Sequence, residues 1–182
     1  MNLMLPFDEP TGLKLRDYQE EIVRKNIAAM ESGVKSVLNG LFTGAGKTVC
    51  FVELANRIAG RTLIICPMRE LVWQACEKVH AITGREAAVE MADFRANEDW
   101  PSKIIVASKQ TLLSRMGGQH RYRRFDGFQL VIVDEAHLMM SDSVKQMLRF
   151  FQDQGAMVAG FTATPFRMDG KPMVAAMETS PQ

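Results

Sequence analysis

The sequence predicts an α/β domain built on a mostly parallel sheet with helices on both faces. Three observations predict it. Apolar runs of strand length alternate with stretches of helical period along most of the chain. The runs Thr62-Leu-Ile-Ile-Cys66 and Leu130-Val-Ile-Val133 carry almost no polar interruption, as befits strands buried on both faces. Residues with chemical potential fall just after these runs, where ligands bind in open sheets of this class.

Residues 1–14 read as an extended leader punctuated by Pro6, Pro10 and Gly12. A helix is expected over 15–32, with Ile22, Val23, Ile27 and Met30 on one face and Gly33 as its stop. A strand over 35–39 precedes a helix over 49–58, where Phe51, Leu54, Ala55 and Ile58 share a face. The strand at 62–66 is followed by a helix over 69–80 with Val72, Ala75, Cys76 and Val79 on its buried stripe. A weaker strand falls at 86–91, a buried one at 103–107, and a short helix at 110–116. Residues 117–127 read as a polar loop carrying Arg121, Arg123 and Arg124. A strand at 130–133, a helix at 143–152 and a strand at 157–161 complete the pattern, and residues 170–182 read as a tail.

Between the first strand and the second helix lies Asn39-Gly-Leu-Phe-Thr-Gly-Ala-Gly-Lys-Thr48. A glycine-rich loop in that setting cradles phosphate: Gly44 and Gly46 let the backbone curl so that its N–H groups point inward, Thr43 and Ala45 belong to the same cradle, and the helix N-terminus adds its partial positive charge. Lys47 can reach the β- and γ-phosphates, and the Thr48 hydroxyl can ligate magnesium. The strict pattern wants glycine where Leu41 stands, and Gly40 is one residue too early. The alternative is a glycine-rich turn that only caps a helix. The strand Val131-Ile-Val133 runs into Asp134-Glu135. Adjacent residues at a strand end point in different directions, so Asp134 can hold magnesium through water while Glu135 orients or deprotonates an attacking water. A solvated acidic pair is the alternative.

At 182 residues the chain is about one domain, and 47% hydrophobic with 24% charged residues is ordinary globular composition. A net charge of +1 provides no global basic field, so any nucleic-acid site must be local. No run approaches a membrane span, and the N-terminus lacks the basic flank and apolar core of a signal peptide. Cys50, Cys66 and Cys76 form no close pair; they are expected as buried free thiols in a reducing, cytoplasmic setting. Scattered His80, His120 and His137 argue against zinc.

Gly44-Ala-Gly-Lys-Thr48, Asp134-Glu-Ala-His137 and Thr162-Ala-Thr164, in this order, resemble motifs I, II and III of superfamily 2 helicases. Leu15-Arg-Asp-Tyr-Gln19 is similar to the family's glutamine motif, Cys66-Pro-Met-Arg-Glu-Leu71 to motif Ia, and Val106-Ala-Ser-Lys-Gln-Thr-Leu112 to the motif before the acidic box. Phe161-Thr-Ala-Thr-Pro-Phe-Arg-Met-Asp-Gly170 most resembles the branch of restriction-enzyme translocases, excision-repair helicases and phage helicases. The resemblance implies a RecA-like P-loop NTPase domain over residues 15–169 that takes ATP and Mg2+. It gives Gln19 and Arg16 the adenine. Pro67, Arg69, Ser108, Gln110 and Thr111 become candidates for the nucleic-acid backbone, DNA first and RNA as the alternative. The Arg69 alternative is a helix-start cation beside Glu70; for Gln110 and Thr111 it is a helix cap. His137, Thr162 and Thr164 would couple nucleotide state to grip, against plain turn chemistry for the two threonines. His120-Arg-Tyr-Arg-Arg124 could hold phosphates or be a solvated loop.

The family's core has a second such domain, which would bring the arginine finger and half of the strand-binding face, in cis or in trans. The chain stops about where the linker to it would begin, and Arg167 is no obvious substitute. Two functions follow as expectations: the ATP-binding half of a helicase or translocase, or a non-catalytic adaptor that retains the fold.

Overall fold

The computed structural model describes residues 14–96 and 103–164. The expected leader, Arg167 and the tail from 170 lie outside the described residues, Lys14 excepted. In chain order the elements are α1 (Asp17–Glu31), β1 (Ser36–Gly40), α2 (Lys47–Arg57), β2 (Arg61–Cys66), α3 (Arg69–Thr83), β3 (Ala88–Glu90), β4 (Ile104–Ser108) and α4 (Lys109–Leu113). They continue with β5 (Arg115–Met116), β6 (Gln119–His120), a 3-10 turn at Arg121–Arg124, β7 (Phe128–Val133), a second 3-10 turn at Ala136–Leu138, α5 (Asp142–Asp153) and β8 (Met157–Thr162).

A six-stranded sheet has the order β1-β8-β7-β2-β4-β3, and every pairing in it is parallel. Uninterrupted apolar strands fit because both faces are covered. Ile64, Cys66, Leu130, Ile132 and Phe161 face α1, α2 and α3, whereas Leu63, Ile65, Val131, Val133 and Val158 face α4 and α5. On the first face Phe51 of α2 meets Phe161 edge-on at 5.7 Å. Both rings are fully buried, and burial contributes about 1.5–3 kcal/mol for each.

Three local expectations need correction. Residues 115 and 116 belong not to a helix but to a two-stranded antiparallel hairpin, β5-β6. Its turn is Gly117-Gly118, both at positive φ (+60° and +84°), as the tight turns that match strand twist require. The polar loop that follows is no solvated loop, because Arg121 and Tyr122 are buried. Cys76 is only half-buried, and Ile82 takes the last place on the inner stripe of α3; all three thiols are free. Among the described residues no helix is long and apolar enough to cross a membrane.

A fully buried carboxylate organises the sheet edge. Glu90, at the end of β3, accepts hydrogen bonds from Arg121 Nε (2.9 Å), Arg124 Nη2 (2.7 Å) and the Ala96 N–H (2.9 Å). Arg121 also donates to the Ala92 carbonyl, and Arg124 to that of Ala96. Two of the three loop arginines are thereby committed to holding the 3-10 turn on β3.

Candidate nucleotide site and strand-binding edge

The parallel register brings the functional strand ends to one edge. Gly40 lies opposite Thr162, and Val133 opposite Gly160, so the phosphate loop, Thr162 and Asp134 leave the sheet side by side. Leu41 is still part of the strand region: it is buried, and its N–H donates to the Thr162 carbonyl at 2.9 Å. The strict pattern's glycine is not needed where the backbone is held in this way.

Curling begins later, at Gly44 (φ +83°) and Gly46 (φ +79°). The positive φ favours glycine at Gly46, and a Cβ there, 2.5 Å from Gln19 Nε2, would push the Gln19 amide aside. Gly46 caps α2, and the first N–H groups of that helix have no partner within it. Lys47, the first residue of α2, forms an ion pair with Glu135 Oε1. Thr48 stands one residue further on, half-buried.

The acidic pair divides as adjacent strand-end residues should. Asp134 is 5% exposed, while Glu135 turns out at φ +46° and meets Lys47. A non-glycine residue in that region stores on the order of 1–3 kcal/mol, a strain that clusters at working sites. Burial pushes the Asp134 carboxyl up to about 6; the neighbouring Glu135 charge adds to the rise, and Lys47 opposes it. The folded chain therefore holds the Asp134 proton more tightly than the unfolded chain does. The stability this gives is complete below pH 4 and is lost as pH rises through about 6. Asp134→Asn, neutral throughout, should be more stable than wild type at pH 8 by roughly 2–3 kcal/mol in metal-free buffer. Chemical denaturation at pH 4 and pH 8 checks this: the gap should close at the lower pH.

Behind the acidic pair, His137 Nδ1 lies 2.9 Å from Thr162 Oγ1 and 3.4 Å from Glu135 Oε2. The Thr164 N–H donates to Thr162 Oγ1 at 3.0 Å. A continuous set of contacts thus runs from Lys47 through Glu135 and His137 to Thr162 and Thr164.

On the other side of the loop, Gln19 is 6% exposed and donates to the Ala45 carbonyl at 3.1 Å. Its Oε1 accepts the Arg16 N–H, and Arg16 Nη1 donates to the Tyr18 hydroxyl. Tyr18 itself donates to Ala45 O at 2.7 Å, a contact the sequence reading missed. Lys14, Arg16, Gln19, Ala45 and Val49 line a cavity of about 230 Å³ against the loop. Arg57 sets the pose of α1 by bridging Glu20 through both terminal nitrogens and Glu53 through Nε. Asn26 and Asn39, also missed, exchange side-chain hydrogen bonds between α1 and β1.

Further along the same edge, β2 and β4 end together, with Cys66 opposite Ser108. Pro67 is half-buried, while Arg69 and Gln110 are exposed at the starts of α3 and α4. Ser108 is buried, and so is Thr111, whose hydroxyl accepts the Ala92 N–H at 2.9 Å. One turn beyond Arg69, Trp73 (42% exposed) meets Phe94 (52% exposed) edge-on at 5.3 Å. The spacing of this exposed aromatic pair gives no sign of it in sequence. The edge therefore has a phosphate-loop half at β1, β8 and β7, and a second half at β2, β4 and β3 that carries the strand-binding candidates.

A parallel sheet with a glycine-turned loop feeding a helix, and an acidic strand end ion-paired to that helix's first lysine, defines a RecA-like domain of the phosphate-loop type. The chain belongs to the family described as type III restriction enzyme, res subunit, matched over residues 12–167. It is 32% identical over 180 residues to the putative ATP-dependent helicase IRC3 of Saccharomyces cerevisiae, covering 90% of this chain and 25% of that one. With the putative DNA 3'-5' helicase Rad25 of Halobacterium salinarum it shares 30% over 162 residues, covering 87% of this chain and 25% of that one. Among solved structures, the Sulfolobus solfataricus SWI2/SNF2 ATPase core in complex with double-stranded DNA superposes with a TM-score of 0.67 at 18% identity. That match covers 91% of this chain and 35% of the other. The chain thus spans about a quarter of the length of these two relatives.

Proposed function

We propose that this domain binds ATP with magnesium and forms one half of a nucleic-acid helicase or translocase. Completed by a second RecA-like domain, in cis or in trans, it hydrolyses ATP and moves along DNA, with RNA as the alternative strand. The observation that carries the reading is the Lys47–Glu135 ion pair. It joins the phosphate loop to the acidic strand end and gives two opposite charges the same partner, a triphosphate with its attacking water. The names of IRC3 and Rad25 as helicases, and the DNA held by the SWI2/SNF2 core, support the same class. An adaptor without turnover has no physical need for this pair.

Lys47 offers its ammonium to the β- and γ-phosphates, and the first N–H groups of α2 offer donors to them. Thr48 and Asp134 supply the hard oxygen ligands that suit magnesium, which when bound neutralises phosphate charge. Once the phosphates take the ammonium, Glu135 is released to orient or deprotonate water. His137, Thr162 and Thr164 carry that change along the edge to the strand side. There the exposed Arg69 and Gln110, beside half-buried Pro67, hold the backbone, the buried Ser108 and Thr111 shape the edge beneath them, and Trp73 and Phe94 offer rings on which bases can stack. A reducing compartment such as the cytoplasm suits the three free thiols.

Base choice tests the nucleotide half. Gln19 stands at the cavity with an amide that can donate and accept, and Arg16 stands beside it. ATP should bind more tightly than GTP, and Gln19→Ala should erase the preference while tripolyphosphate binding stays unchanged. Equal binding of GTP and ATP by the wild type would remove Gln19 from the adenine.

A further inference from the structure

The cations of residues 115–124 take no part in the nucleotide site. Between the β5-β6 hairpin and the 3-10 turn lies a cavity of about 140 Å³, lined by Gly117, Gln119, His120, Arg121, Arg123 and Arg124. Its charge does not balance. Glu90 offsets one of its two partners, Arg121 and Arg124, so one positive charge is left over. Arg123 adds another: it is exposed and has no carboxylate partner among the described residues. Its guanidinium lies over the rings of Tyr122 (5.6 Å) and Phe150 (5.4 Å), which fixes its position without consuming its donors. Arg124 also lines the cavity; its Nη2 is taken by Glu90 and the Ala96 carbonyl, and its guanidinium lies 4.6 Å from the Phe125 ring centroid. Surplus cations and room for one tetrahedral anion occur together.

The position says which anion. His120 Nδ1 lies 2.6 Å from the Leu113 carbonyl, and the Arg121 N–H donates to Ser114 O, so the cavity is bolted to the end of α4. Gln110, an exposed candidate strand contact, stands on that same five-residue helix. We propose that this cavity holds a phosphate of the nucleic-acid backbone beyond the one at Gln110, with Arg123 and Arg124 as its donors. The assignment rests on the strand-binding reading above.

Arg123→Ala is the informative variant, because Arg123 makes no contact with Glu90 and the fold should survive its loss. Binding of a fluorescently labelled single-stranded DNA oligonucleotide by the 182-residue chain is followed by anisotropy across a salt series. Arg24→Ala, an equal charge change on exposed α1, is the control, and thermal melting confirms that both variants are folded. Arg123→Ala should weaken binding several-fold at low salt and lower the slope of log affinity against log salt by about 0.7. Arg123→Lys should keep the slope, and Arg24→Ala should match wild type. In parallel, inorganic phosphate is titrated against the His120 ring resonances. A phosphate-dependent shift together with an unchanged salt slope in Arg123→Ala would mean that the cavity takes the free ion alone, and would overturn the strand assignment. Equal losses in Arg123→Ala and Arg24→Ala would overturn it as a general charge effect. A wild type that binds no oligonucleotide at the lowest salt would bring down the strand-binding reading itself, an outcome distinct from wild-type binding that ignores Arg123.

Discussion

A polypeptide of residues 1–182 is expected to bind ATP and leave it intact, with or without DNA. Lys47, Thr48, Asp134 and Glu135 can place the phosphates and a water. The far side of the γ-phosphoryl, in the proposed scheme, belongs to an arginine on a second domain. Such an arginine is worth about 10³–10⁵ in rate, or roughly 4–7 kcal/mol of barrier. Adding a second RecA-like domain should bring DNA-stimulated hydrolysis of that size, read as phosphate release. In the completed assembly Glu135→Gln should remove turnover again and spare ATP binding, since the substitution keeps the shape and loses the base. Brisk DNA-stimulated hydrolysis by residues 1–182 alone, abolished by Glu135→Gln, would show that the site needs no second domain.

Glu90→Ala is expected to be the most damaging change to the fold outside the apolar core. Glu90 is fully buried, and the side chain of its partner Arg121 is only 10% exposed. Removing the carboxylate leaves two arginines facing each other without compensation, and breaking a buried pair in this way costs about 3–5 kcal/mol. For a domain of this size that lowers the melting temperature by roughly 6–20 °C. The 3-10 turn should loosen first, because Glu90 is what ties it to β3. A loss below about 1 kcal/mol in chemical denaturation would mean that water already solvates the arginines and that the triad is not a clamp.

What the sequence revealed depended on how local each signal was. The strand at β2 was legible because Leu63, Ile64 and Ile65 fill both faces in consecutive positions. The phosphate loop was legible because Gly44, Gly46, Lys47 and Thr48 are consecutive and their conformations are imposed by the backbone itself. The start of β7 was read two residues late: exposed Gln129 interrupts the apolar run, although Phe128 before it is buried. The hairpin at Arg115–His120 was missed because its strands have two residues each, too short for periodicity; the Gly117-Gly118 pair was the available sign.

Polar burial was the least legible feature. The inner line of α1 is Gln19, Val23 and Asn26, two polar residues out of three, so a search for an apolar stripe passes over them. Gln19 was found only through the family resemblance, and Asn26 not at all. Glu90 finds its partners 31 and 34 residues later, a distance at which charge pattern carries no information. Arg121 and Arg124 looked like free cations for this reason, whereas Arg123 between them is the one of the three without a carboxylate partner among the described residues.

The central claim is that the loop from Thr43 to Thr48, with Lys47 at its end, holds the phosphates of a magnesium nucleotide. Isothermal calorimetry of ATP and ADP into wild type and Lys47→Ala, with magnesium and then with a chelator, tests it most directly. The wild type should bind both nucleotides, weakly and only with magnesium. Lys47→Ala should show no binding heat while melting as a folded domain, with Glu135 left free of its partner. An affinity unchanged by Lys47→Ala would contradict the account, because a nucleotide bound in this loop cannot be indifferent to the ammonium placed at its phosphates.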